Sequence, residues 1–227
     1  TDGTVKRPLG TNRIQVGMEI HPSETDTLAV SITEPTRYVA HVLRDVLVEQ
    51  GVSVQGEPRD ADELSVKPDL EADRVRPVAT YRSPSLREIV HTMNHESNNL
   101  YAEQLLRTMA VVNAPDTTDE DLEKGSAALG VLAVRSSLAE TGIDTSRVFL
   151  QGGSGLSRKN LASPRAFVRL LEHVWTEADT TTRSVFTESL PRGGEEGTLE
   201  YRFDEGAPAG GRVRAKTGTL TGVSALS

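Results

Sequence analysis

Cysteine is absent from the 227 residues, so disulfides and thiolate metal sites are excluded. That absence suits an oxidising compartment without proving one. No apolar run is long enough to cross a bilayer, and there is no signal peptide. Basic residues are in deficit: the formal charge is −8 and the pI about 5.2, which argues against a nucleic-acid groove, because phosphate binding relies on clustered Lys and Arg. Lysine is scarce, with five residues against 20 arginines, a bias of genome or salty habitat that names no substrate. The five histidines contain no His-Glu-x-x-His pattern. His91 and His95 form the one i, i+4 pair, and no third zinc ligand is evident beside them. No cofactor is called for.

What is present is enough apolar material for one large domain, or one domain and part of another. The start Thr1-Asp2-Gly3 and the end at Ser227 inside a strand-like run lead us to expect a piece truncated at both ends. Alternation predicts strands over 13–20 and 27–33, followed by an amphipathic helix over 36–50 closed at Gly51 and a short strand over 52–55. Residues 56–77, rich in charge and proline, read as a boundary or a long surface connection. Helical periodicity covers 85–94, resumes near Asn99, and returns over 122–142 and from Ser163-Pro164 to about Glu177. Short strands are expected over 148–151, 212–215, 216–220 and 223–226, with a flexible turn at Gly152-Gly153-Ser154-Gly155.

Two short motifs stand out. Ser97-Asn98-Asn99 breaks the helical pattern with residues that favour turns and caps, so that Ser97 is aimed out of the helical pair; Lys216-Thr217-Gly218-Thr219 follows a strand-like approach. Taken alone, the first reads as a helix N-cap and the second as a turn with an exposed lysine. The third member of the set to which such motifs belong, Ser-x-x-Lys, is missing. The residues three places before Lys6, Lys67, Lys124, Lys159 and Lys216 are Gly3, Leu64, Asp121, Leu156 and Val213, none of them serine.

The context of these motifs carries a resemblance. The segment from His91 through Ser97-Asn98-Asn99 to Arg107, the run Gly153-Ser154-Gly155-Leu156-Ser157-Arg158, the approach Leu190-Pro191-Arg192-Gly193-Gly194, and Arg214-Ala215-Lys216-Thr217-Gly218-Thr219-Leu220-Thr221-Gly222 form a linked series. This series resembles the D-alanyl-D-alanine carboxypeptidase/endopeptidase family of the penicillin-binding protein 4 type. These are class C low-molecular-mass penicillin-binding proteins of serine peptidase family S13. The similarity runs from about Thr27 to the last residue. It implies an α+β fold, an antiparallel sheet flanked by helices, with extra domains inserted between the first and second motifs. Residues 1–76 would be the C-terminal part of a mostly-β inserted accessory domain, and 77–227 the second half of the penicillin-binding domain.

The resemblance also implies roles. A serine hydroxyl is a poor nucleophile until a base takes its proton, and a lysine serves as base only when burial or a nearby cation pulls its pKa down. Lys216 is the candidate cation. The serine of the absent Ser-x-x-Lys would attack the peptide carbonyl, Ser97 would relay a proton to the leaving D-alanine amine, and Asn99 would bond the substrate amide and help fix the lysine. Gly218 leaves room for a substrate lying along the strand edge, and the Thr219 N–H would join the oxyanion hole. The hydroxyls of Thr217 and Thr219 suit a terminal carboxylate. Arg158 and Thr221 fall where the family contacts the side-chain carboxylate of a diamino acid. Two departures are visible. Gly152 stands where the family usually has Asp, so an orienting carboxylate there is lost; Asn98 stands where Asp is common, at a side chain that need not face substrate.

The expected partners are peptidoglycan stem peptides and, as covalent inhibitors, β-lactams. No nucleic acid is expected, peripheral membrane association and anchoring stay open, and the location is expected to be extracytoplasmic. Two other readings stay open on the sequence: a catalytically inactive relative that binds peptidoglycan or a partner, and a β-lactamase.

Overall fold

The computed structural model describes residues 4–17, 19, 25, 27, 30–69, 72, 75–113, 122–203 and 210–227. The chain divides into two compact units, Thr1–Thr80 and Tyr81–Ser227.

In the first unit a two-stranded antiparallel sheet pairs β1 (Thr4–Lys6) with β2 (Gln15–Gly17), Val5 opposite Val16. β2 lies within the alternation of 13–20, but its apolar members do not form a core face: Ile14 and Val16 are exposed, and positions 18 and 20 lie outside the described residues. The expected strand over 27–33 is not formed at the described positions 27 and 30–33, with 28 and 29 outside them. Side chains hold this stretch instead. The Arg7 guanidinium donates to Thr33 Oγ1 at 2.9 Å and to Ser31 Oγ at 3.1 Å. Helix α1 (Pro35–Glu49) is where periodicity places it, opening with proline at its first turn and closing at Gly51 with φ 81°. Residues 52–55, expected as a strand, have no ladder partner among the described residues and are irregular.

The second unit is built on helices. α2 (Leu86–His95) starts at a reciprocal capping box of Ser85 and Glu88, and α3 (Asn99–Val112) follows after a three-residue break. α4 (Ala127–Glu140) is capped by Ser126 and is shorter than the periodicity suggests, because Gly125 and Ser126 turn the chain first. α5 (Pro164–Thr176) runs as expected from its Ser163 cap. α6 (Thr180–Ser189) is not legible as a helix from its Thr-rich opening; Asp179 creates it by accepting from the N–H groups of Thr181 and Thr182. The expected strands 148–151 and 212–215 reduce to single bridges, Phe149 with Leu161 and Arg192 with Arg214. β3 (Thr217–Leu220) and β4 (Val223–Leu226) form an antiparallel hairpin about Thr221-Gly222.

The core lies chiefly between α3 and α4, where Leu106 and Ala110 face Leu129 and Ala133. Gly130 lets the helices touch backbone to side: a Cβ there would stand 2.3 Å from the Leu106 carbonyl oxygen. Gly130→Ala therefore opposes two effects. Propensity favours alanine in a helix by roughly 1 kcal/mol, but forcing α3 and α4 apart costs on the order of 1–3 kcal/mol. We expect net destabilisation, read as a lower urea midpoint with unchanged slope; a raised midpoint would contradict the close contact.

Candidate active site

The break between α2 and α3 is shaped by hydrogen bonds that leave one hydroxyl free. Glu96 N–H donates to Thr92 O, the chain turns through Ser97 at φ 56°, and Asn98 N–H reaches back to Met93 O. A left-handed serine costs on the order of 1 kcal/mol, and this closing bond offsets it. Asn98, not Ser97, caps α3, accepting from Tyr101 N–H at 3.1 Å. The middle residue of the motif is thus occupied with the helix, and Ser97 is not the N-cap that its motif alone suggests. Its Oγ accepts from Lys216 Nζ at 2.9 Å, across 119 positions of sequence.

That junction is held from beneath. Asn94 and His95, the last residues of α2, are buried. Asn94 Nδ2 donates to Ser189 Oγ at 2.7 Å, and the Ser189 hydroxyl donates to Phe186 O, so the ends of α2 and α6 lock together. His95 stacks on His91 with centroids 3.9 Å apart and leaves no room beside Gly197, where a Cβ would lie 2.9 Å from the His95 carbonyl oxygen. Burial, then the neighbouring His91, pushes the His95 pKa down, outweighing Glu196, which raises it. Among the described residues no cluster of three metal-ligating side chains occurs.

The approach to β3 is fixed by the same helix end. Arg214 donates to Thr187 O and Leu190 O, both at 3.1 Å, at the C-terminus of α6, where Thr187 O also accepts from Leu190 N–H. Hydrogen-bond parity then decides what β3 offers. Ala215 N–H donates to Pro191 O on one side, whereas Lys216 exchanges both backbone bonds with Ser227, at 2.7 and 3.1 Å, on the other. Antiparallel pairing alternates these directions, so Gly218 and Leu220 bond toward β4 while the N–H and C=O groups of Thr217 and Thr219 face the opposite edge. Residues 191–193 pair along that edge only as far as Ala215; beyond it, among the described residues, the edge is unpaired. Gly218 adds no side chain, and Lys216 Nζ lies over the edge, donating to Thr217 O at 2.8 Å.

At the far end of the strand Arg158 Nη2 donates to Thr221 O at 2.6 Å. The loop carrying Arg158 rests on α3: Ser154 N–H and Oγ donate to Glu103 Oε1 at 3.0 and 2.6 Å. The site residues thus form two groups, Ser97 with Lys216 and Arg158 with Thr221, joined by the edge of Thr217, Gly218 and Thr219. From Lys216 to Thr221 an extended chain covers roughly 17 Å. Asn99 stands at the first position of α3, exposed, with no side-chain hydrogen bond among the described residues. Sequence reasoning gives no role to Asn94, Ser189, Arg214 or Glu103. For Glu103 a signal existed, since it lies one helical turn after Asn99 and shares its face. Two concavities lie elsewhere, one beside Arg87, His91 and Tyr101, the other between α5 and α6; neither is lined by Ser97, Asn99 or Lys216. The site is an open strand edge.

Burial lowers the Lys216 pKa from the ordinary lysine value of 10.5, while the other four lysines are exposed. An unfolded chain holds that proton more tightly, so this group makes stability rise as pH climbs through the lowered value. In a 13C-methyl-lysine NMR titration the Lys216 resonance should titrate below the ordinary lysine value. If it titrates at the ordinary lysine value, the amine is not desolvated.

A family model described as the D-Ala-D-Ala carboxypeptidase 3 (S13) family matches residues 1–227. The chain is 33% identical over 228 residues to a D-alanyl-D-alanine carboxypeptidase of Actinomadura sp. (strain R39), covering 98% of this chain and 39% of that protein. It is 29% identical over 201 residues to the D-alanyl-D-alanine carboxypeptidase DacB of Haemophilus influenzae, covering 88% and 38%. A crystal structure of penicillin binding protein 4 from H. influenzae, complexed with a β-lactam, aligns with a TM-score of 0.73 at 27% identity over 99% of this chain and 48% of that one. The likeness extends to the α+β fold, with helices beside small antiparallel sheets. The chain spans about two-fifths of the length of these two curated relatives.

Proposed function

Because this chain belongs to the D-Ala-D-Ala carboxypeptidase 3 (S13) family, we propose that the protein containing it is a serine DD-carboxypeptidase/endopeptidase acting on D-Ala-containing peptidoglycan stem peptides outside the cytoplasm. The observation that carries this reading is the 2.9 Å hydrogen bond from Lys216 Nζ to Ser97 Oγ at the head of an unpaired strand edge. Residues 77–227 serve as the second half of the catalytic domain and residues 1–76 as the end of an accessory domain inserted in it.

The nucleophile is a serine of a Ser-x-x-Lys pair, which these 227 residues do not contain. The substrate backbone adds along β3, bonding to the outward N–H and C=O groups of Thr217 and Thr219. As the serine oxygen bonds the scissile carbonyl carbon, its proton passes to a basic amine and the carbonyl oxygen becomes an oxyanion, which accepts from Thr219 N–H. The C–N bond then breaks. Ser97 gives its hydroxyl proton to the departing D-alanine nitrogen and recovers one from the neighbouring amine relay, whose electrostatics Lys216 sets. Water next attacks the ester, freeing the acid and restoring the serine. Asn99 bonds the substrate amide, the Thr217 and Thr219 hydroxyls receive the terminal carboxylate, and Arg158 with Thr221 receives a carboxylate on the third residue of the stem. A β-lactam follows the same first step and stays on the serine.

Intact mass of the full-length protein after benzylpenicillin treatment tests this. We expect one adduct on a serine outside residues 1–227, no adduct on this chain alone, and acylation slowed by about 100-fold or more in Lys216→Ala. A folded full-length protein that takes up nothing would favour the inactive, peptidoglycan-binding reading; rapid release of the adduct would favour a β-lactamase.

A further inference from the structure

We propose that Glu103 is a positioning residue for substrate selection: its carboxylate fixes the 152–158 loop on α3 so that Arg158 stands at the far end of the β3 edge. This rests on the reading of Arg158 given above.

Three observations converge on Glu103. Its Oε1 accepts both from the Ser154 backbone N–H at 3.0 Å and from the Ser154 hydroxyl at 2.6 Å, 51 residues away in sequence. Two charge-assisted bonds to one oxygen make a stronger link than neutral contacts would. The loop is also built to receive it. A Cβ at Gly152 would fall 2.7 Å from Glu103 Oε1, and one at Gly153 would fall 2.3 Å from the Ala102 carbonyl oxygen. Only a backbone bare of side chains lies this close to the helix. Gly152, the position where a carboxylate is missing, is thus the place that a carboxylate from α3 fills. Finally, Ser154 is four residues from Arg158, whose Nη2 donates to Thr221 O at 2.6 Å. The loop therefore has one anchor on α3, a turn from Asn99, and the other on the β3–β4 turn. The Ser154 bond holds the Glu103 pKa below the usual carboxylate range, so the anchor stays charged through neutral pH.

The consequence is separable from catalysis. The anchor acts on Arg158, not on Ser97 or Lys216, so loosening it should weaken recognition of the third-residue carboxylate while the reacting centre is kept. Two D-Ala-D-Ala peptides would be compared in the full-length protein, one with a free carboxylate on the third residue and one with that carboxylate amidated. Benzylpenicillin acylation reports the reacting centre. In Glu103→Gln we expect KM for the carboxylate peptide to rise about 10-fold with kcat little changed, and the amidated peptide to be affected far less. Ser154→Ala should shift KM in the same direction by a smaller factor. In an Arg158→Ala background, Glu103→Gln should add nothing further.

Equal losses on both peptides and in acylation would make Glu103 merely structural and overturn the proposal. So would a wild-type preference that survives in both Glu103→Gln and Ser154→Ala. A wild-type enzyme that acylates normally but prefers neither peptide would sink the Arg158 reading, and this proposal with it.

Discussion

The hydrogen bond between Lys216 Nζ and Ser97 Oγ joins a helix junction to the beginning of a strand, and the contacts at the end of α6 bear on that meeting. The bond itself cannot hold the two together. A partly exposed contact of this kind contributes roughly 0.5–1.5 kcal/mol net, less than the conformational entropy of the two segments that it links. The positions must be imposed by more enclosed groups, the buried Asn94 and Ser189 and the half-buried Arg214. Asn94 bonded to Ser189 ties α2 to α6, and Arg214 ties the approach of β3 to the same end of α6. The end of α6 is thus the common support from which Ser97 and Lys216 are both measured. Losing the Ser189 hydroxyl would leave the buried Asn94 amide without this partner at a cost on the order of 1–3 kcal/mol, more than the contact above it is worth.

The strand edge obeys a second constraint, the parity of antiparallel pairing. Residues 213–215 use one edge against 191–193, and Lys216 opens the ladder toward β4. Because directions alternate residue by residue, this handover leaves Thr217 and Thr219 with backbone groups facing away from β4, with no strand described beside them and only the Lys216 ammonium on the Thr217 carbonyl. An unpaired edge is ordinarily a liability that proteins cover or blunt. Here it is short, and it ends in a turn whose Thr221 carbonyl already accepts from Arg158. A peptide adding to this edge would meet Lys216 at one end and Arg158 at the other.

Charge is placed to match. Lys216 is held in a setting that disfavours its proton, whereas Glu103 is held by donors that favour its ionised form. The two shifts have opposite physical origins, desolvation in the first and hydrogen bonding in the second. Both leave the group at its post, the ammonium over the strand edge and the carboxylate beneath the loop that bears Arg158.

Much of this was legible in the chain. α1, α2, α3 and α5 announce themselves by apolar period and caps, because helices are decided by contacts three and four residues away. The linked motifs around Ser97, Arg158 and Lys216 identify the family for the same reason, each being a local run of residues. What failed was what depends on partners. Residues 27–33 and 52–55 alternate without forming strands at their described positions, since a strand exists only where another supplies its hydrogen bonds. α6 forms from a threonine-rich opening because Asp179 caps it. Ser97 alone could not be told from an N-cap until Asn98 took that role, and Glu103, although on the face of Asn99, had no visible partner until Gly152, Gly153 and Ser154 were laid against it. The sequence by itself determined which helices form and which family the chain resembles, through interactions within a few residues. Tertiary structure alone decided which edge of β3 is free and which carboxylate holds the loop, because those depend on groups brought together from distant parts of the chain.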